Sequence, residues 1–148
     1  MNNPKYQLNA EQDLTVFNFT SEGPKGRIPK LIEIKETNLK GFYNLAFGDK
    51  DLDTGKINDL VVTNNNDTDK VLATVVGAVY AFTDINFEAW VYATGSTEAR
   101  TRLYRMGINK YLIEVENDFE IYGQLGDEWH VFEKGTDFEG FVVKRKNI

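Results

Sequence analysis

The chain has 148 residues, 41% hydrophobic and 13% aromatic, with a formal net charge of −6 and no cysteine. That length and apolar share predict a single domain, residues 1–148, around one core that buries roughly 70% of the unfolded chain's surface. The missing cysteines exclude disulfides, thiolate nucleophiles and Cys-type zinc sites, and the acidic balance argues against nucleic-acid binding, which runs on clustered Lys and Arg.

Met1–Asp13 holds only scattered apolar residues, with Tyr6 and Leu8 marking at most a short strand. The opening MNNPKYQL has neither the basic nor the apolar part of a secretory signal. Leu14–Thr20 alternates with apolar residues on both sides, which predicts a strand covered on both faces. SEGPKGR at Ser21–Arg27 is a turn, and Ile28–Thr37 resumes the β pattern with Ile32 and Ile34 facing one way. Phe42–Gly48 is a third strand, and Ile57–Thr63 (INDLVVT) reads as a fourth.

After Asn64-Asn65-Asn66, Asp67 or Thr68 caps a helix running to about Phe82, with Leu72, Val75, Val76, Val79 and Phe82 on the helical period. The apolar run Val71–Phe82 falls short of the about 20 residues a bilayer span needs, so no membrane segment is expected and the setting reads as cytoplasmic. Trp90–Thr94 is a strand, Gly95 breaks it, and Ser96 stands at a helix N-cap with Glu98 in the first turn. Ala99, Leu103 and Met106 form one apolar stripe, with Gly107 as the stop and Arg105 solvated. Asn109–Asp118 is ambiguous, helix being one reading. Phe119–Leu125, Glu128–Glu133 and Phe138–Lys144 read as strands, the first two joined by a hairpin at Gly126-Asp127.

The order β-β-β-β-α-β-α-β-β-β predicts an α+β domain with a single mixed, twisted β-sheet and two main helices. The unit Ile57–Thr94 should set its two strands parallel through a right-handed crossover. Both strand-to-helix turns, TNNNDT at Thr63–Thr68 and TGST at Thr94–Thr97, would then open on one crevice, the usual ligand position for parallel strands. Free backbone N–H groups at Gly95, Ser96 and Thr97, with Arg100 one turn on, could hold a carboxylate or phosphate. The plain alternative is that Ser96 only caps its helix.

Other constellations point to structure. Asp49–Gly55 starts like an EF-hand loop but has Thr54 where that loop needs glycine and Leu60 where it needs glutamate, so no metal is expected. His130 lies in an alternating strand with no triad or metal partner in the sequence, and Lys144-Arg145-Lys146 reads as a short solvated end.

Two resemblances add to this. The strand–helix–strand–helix order ending in RLYRMGI is similar to the second half of the GNAT acetyltransferases, a resemblance that implies a GNAT-like topology, acetyl-coenzyme A as cofactor, and Tyr104 as general acid to the departing thiolate. The glycine-free NNNDTD departs from that family's pyrophosphate loop, and Thr97 and Arg100 replace its asparagine and alanine. A near-full-length resemblance, through FTSEGPKG, YNLAFGD, DLVVTNN, AWVYATGST, RLY-x-MGI, DFEIYG and VKRK, is to an uncharacterised family of small bacterial hypothetical proteins, which implies a bacterial, intracellular protein and no particular activity. The expectation is a non-enzymatic or degenerate domain that needs no cofactor and binds a protein partner or small anionic ligand at Gly95, Ser96, Thr97 and Arg100. The alternative is a GNAT-like acyl-coenzyme A transferase.

Overall fold

The computed structural model describes residues 4–11, 14–58, 63–93 and 98–147, leaving out the side chains of residues 98–100. In chain order the elements are β1 (Asn9–Glu11), β2 (Val16–Gly23), β3 (Gly26–Glu36), β4 (Phe42–Asp49), α1 (Thr68–Ile85), β5 (Trp90–Ala93), α2 (Glu98–Asp118), β6 (Phe119–Leu125), β7 (Glu128–Val131) and β8 (Gly140–Arg145). The predicted class and order stand. All eight strands form one sheet in the order β1-β2-β3-β4-β5-β8-β6-β7, antiparallel except for the parallel step from β4 to β5.

Two assignments move. The strand parallel to β5 is β4, paired through Phe42↔Trp90, Tyr43↔Val91 and Asn44↔Tyr92, and not the expected Ile57–Thr63. Of that stretch Ile57 makes an isolated bridge to Lys50, and residues 59–62 lie outside the described residues. The first of the four strands before α1 is instead the three-residue edge β1. Hairpin β6–β7 turns at Gly126-Asp127 as the sequence indicates, with Gly126 at φ 60°.

Strand periodicity sorts the sheet into two unlike faces. Phe17, Phe19, Ile32, Ile34, Leu45, Phe47, Val91 and Phe141 point to the side where α1 and α2 pack, and they form the main core. The opposite face carries no helix among the described residues. β2 is therefore covered on one face only, contrary to the expectation: Phe17 and Phe19 are buried, while Val16 lies on the open side. Central positions there hold aromatic rings that cover one another. Phe42 stacks on Trp90 at 5.7 Å, Trp90 meets Tyr122 at 6.0 Å, and Tyr92 meets Trp129 edge-on at 5.5 Å.

α2 does not stop at Gly107. It continues to Asp118, with a kink at Tyr111 (φ −104°, ψ 16°). Gly107 lies inside it because α1 passes close by: a Cβ there would stand 3.3 Å from Leu72 Cδ2. The buried stripe is Tyr104, Tyr111 and Val115, with Ile108 partly buried beside them, while Met106, expected inside, is 44% exposed. Arg105 is not solvated either; its Nη2 donates to Phe138 O at 3.1 Å, and Nη1 lies 3.5 Å from Asp137.

The basic end of the chain is also built in. Lys144 and Arg145 belong to β8, in the middle of the sheet, and Lys144 is buried. Arg145 closes the C-terminal end of α1: Nε donates to Thr83 Oγ1 at 2.9 Å, and Nη2 to Tyr80 O at 3.1 Å and Asp84 Oδ1 at 2.5 Å. A cation at that end of a helix is favoured by the unpaired carbonyls.

Two outcomes follow for stability. Gly107→Val should cost ~1–3 kcal/mol by pressing on Leu72, read as a lower urea midpoint; an unchanged midpoint would mean the helices do not meet there. Burial first, and then the Asp118 carboxylate that accepts its hydrogen bond, raise the Tyr80 phenol above its ordinary 10.0. Burial likewise raises Tyr6, Tyr111 and Tyr122. Because the unfolded phenols ionise first, this share of stability is complete below pH 10 and is lost as pH rises towards the folded values. Tyrosinate absorbance in a pH titration should lag in the folded state, and unfolding should accompany its late phase.

Candidate functional site: the crevice at the ends of the parallel strands

The parallel step fixes where a crevice can be. β4 and β5 end on the same side of the sheet, and α1 and α2 both begin there. Its floor is an ion pair. Lys30 in β3 stands directly opposite Asp49 in β4, on the parity of Ile32 and Ile34, so both side chains turn beneath the helices. Lys30, 1% exposed, donates to Asp49 Oδ1 and to Thr63 O at 3.0 Å. Thr63 in turn donates its hydroxyl to Asp49 Oδ2 at 2.5 Å and its N–H to the same carboxylate at 3.2 Å. Burial acts to raise the Asp49 carboxyl, but the hydrogen bonds from Lys30 and Thr63 and the charge of Lys30 outweigh it and hold the group below its ordinary 3.8.

The polar loop before α1 is spent on the fold itself. Asn65, buried, donates Nδ2 to Ser21 Oγ at 3.2 Å and to Gly26 O at 2.9 Å, and its Oδ1 accepts from Lys25 N–H at 2.7 Å. Gly23 allows this approach: a Cβ there would lie 2.1 Å from Asn65 O. Asp67 holds the N-cap position without making a capping bond, unlike the expectation, because Tyr6 Oη (2.6 Å) and Ser21 Oγ (2.5 Å) donate to its Oδ2. The α1 wall is thus a lock between the β2–β3 hairpin and the helix, and its charge is acidic, since Asp49 already balances Lys30.

Between this lock and α2 lies a pocket of about 80 Å³, bordered by Lys30, Phe47, Thr63, Asn64, Thr68 and Leu103. It has room for a few waters or one small polar group. Tyr104 sits one residue further along α2, 6% exposed, edge-on to Phe47 with centroids 6.1 Å apart. It borders a second, apolar cavity of about 80 Å³ with Val75, Val79, Val91, Ile108 and Phe141.

The predicted site residues Gly95, Ser96 and Thr97 lie outside the described residues, as does the side chain of Arg100. α2 begins at Glu98, directly after them in sequence. The acidic loop is split. Asp49 turns inward to Lys30, while Asp51 accepts from the N–H of Asp53 at 2.9 Å and closes its own turn. His130 is exposed on the edge strand β7, with Nε2 3.3 Å from Glu128. Sequence reasoning missed Lys30, yet the signal was present: Lys30, Ile32 and Ile34 share one period-two face, so a charge there must turn inward and find a partner.

The chain belongs to a family of unknown function, DUF6934, which matches residues 2–146. No curated protein and no solved structure matches it. No helix among the described residues is long and apolar enough to cross a membrane.

Breaking the floor should be costly. Lys30→Met leaves Asp49 buried without its cation and should lose ~3–5 kcal/mol, of which Lys30→Met with Asp49→Leu regains only part, because Thr63 then lacks its acceptor. Since the folded Asp49 titrates below 3.8, its stabilising share is whole above that pH and is lost as pH falls through the lower folded value. Urea midpoints across pH 2–5 should fall less steeply in the double variant than in the wild type.

Proposed function

We propose that this protein is a non-enzymatic or degenerate binding domain, taking a small anionic ligand, or the anionic group of a protein partner, at the turn Gly95-Ser96-Thr97. The observation that carries the reading is the parallel adjacency of β4 and β5, which brings both helix starts to one end of the sheet. The α1 start is acidic and filled by Asn65 and Asp67. That leaves the α2 start as the side of the crevice suited to an anion, since first-turn N–H groups have no partner within their own helix and Arg100 follows in the first turn. A charge-assisted bond from Arg100 is worth ~1.5–3 kcal/mol. A cytoplasmic setting in a bacterium goes with this reading, as does the absence of cysteine. The net charge of −6 sets it against nucleic acids.

A second reading is a GNAT-like acyl-coenzyme A transferase. It is favoured by the succession β4-α1-β5-α2 with β4 and β5 as parallel neighbours, and by Tyr104 on the inner face of α2 beside the crevice. The acidic, glycine-free lock at α1 speaks against it, because a pyrophosphate would meet Asp67 there.

An NMR titration with phosphate, pyrophosphate and acetyl-coenzyme A separates the readings. Binding should move the Ser96 and Thr97 amides, and Arg100→Ala should weaken it about tenfold or more without lowering the melting temperature. Flat amides at Ser96 and Thr97 would reduce the turn to a helix cap. Tight acetyl-coenzyme A binding by calorimetry, lost together with acyl transfer in Tyr104→Phe, would favour the enzyme.

A further inference from the structure

The edge strand β7 combines two features that monomeric sheets avoid at an edge. In the register of β6 with β7, Phe132 stands opposite Ile121, and its N–H donates to Ile121 O at 3.1 Å. Antiparallel ladders alternate, so the N–H and C=O of His130 and Glu128 turn to β6, and those of Trp129 and Val131 turn outward. The same two residues raise their side chains on the helix-free face, where Trp129 is 43% and Val131 71% exposed. Peptide groups in need of a partner and apolar side chains in need of cover thus coincide on one short strand.

We propose that β7 is a homodimer contact. It pairs antiparallel with β7 of a second copy, about a twofold axis that is normal to the sheet and passes between the two His130 residues, so that two eight-stranded sheets become one. Such an axis keeps each face of the sheet on its own side, so a residue can only oppose one of its own parity. The outward peptide groups demand further that Trp129 and Val131 take the hydrogen-bonded positions. The register centred on His130 sets Trp129 against Val131 of the second copy, twice, each pair exchanging two backbone hydrogen bonds. Centring on Trp129 would oppose Val131 to Asp127, and centring on Val131 would oppose Trp129 to Glu133, so each keeps one apolar pair on the helix-free face where the His130 register makes two. This match of the strand to itself favours a second copy over a foreign strand. On the helix side the two imidazoles meet near the axis, each with its own Glu128 carboxylate 3.3 Å away.

The test is sedimentation equilibrium of the full chain from about 5 µM to about 1 mM, a range that brackets the affinity of a short paired strand. The mass should rise from 16.9 kDa towards twice that value. Val131→Pro removes an outward N–H and leaves the bonds to β6 in place, so it should weaken the dimer tenfold or more while circular dichroism is unchanged. Val131→Lys should do the same. His130→Cys supplies the chain's only thiol at a non-hydrogen-bonded pair, where Cα atoms about 4.5 Å apart suit a disulfide. It should cross-link under mild oxidation far faster than Asp53→Cys on the exposed turn. A mass that stays monomeric throughout overturns the proposal. So does a dimer that Val131→Pro leaves intact and His130→Cys fails to cross-link, since the copies would then meet elsewhere.

Discussion

The buried pair Lys30–Asp49 is the constraint on which the rest of this structure hangs. It joins β3 to β4 at the last residue of β4, where regular pairing ends, and the same two groups capture Thr63 ahead of α1. With Thr63 fixed, Asn65 and Asp67 fall within reach of Ser21, Gly26 and Tyr6, and the start of α1 is set. The direction of α1 then determines that β5 enters beside β4 and parallel to it. Desolvating two charges is expensive, and an apolar pair could serve stability as well. What the ion pair adds is a single geometry: a carboxylate that accepts from Lys30 and from both the N–H and the hydroxyl of Thr63 admits one placement of the returning segment.

A second feature, the one-sided sheet, shapes what the protein can contact. Both helices and the main core occupy one face, and the aromatic rings of Phe42, Trp90, Tyr92, Tyr122 and Trp129 roof the other. Ring on ring, these residues shelter Val142 and the stem of Lys144, with no second layer of secondary structure among the described residues. The crevice and the β7 edge lie at different places in this plan. Ligand binding at the first and association at the second need not compete.

Much of the fold was legible because its signals are local. The α1 period, the Gly126-Asp127 hairpin, the strand from Trp90 and the helix from Glu98 depend on neighbours in sequence, and they stand as expected. The misreadings share a cause, which is that one residue type answers to two physical demands. Gly107 looks like a helix stop because glycine tolerates positive φ, yet here it serves the close passage of Leu72. Lys144 and Arg145 look like a solvated tail because charge usually is, yet Arg145 is held by the carbonyls and rings at the end of α1. Only tertiary contacts tell these apart. For the candidate site, the sequence reads TNNNDT as a turn open to a ligand, with Asp67 or Thr68 spent only on capping the helix. The side chains of Asn65 and Asp67 are in fact paired with the β2–β3 hairpin, some 40 residues away in sequence.

If the two walls of the crevice are unequal, hydrogen–deuterium exchange with and without inorganic pyrophosphate measures that inequality directly. Protection should grow at residues 94–100 and stay level at residues 63–68, where the amides of Thr63 and Asn66 and the side chains of Asn65 and Asp67 are already engaged within the fold. Protection gained at residues 63–68 instead, or at both walls alike, would contradict it, because the α1 start would then be an anion cradle and not a lock.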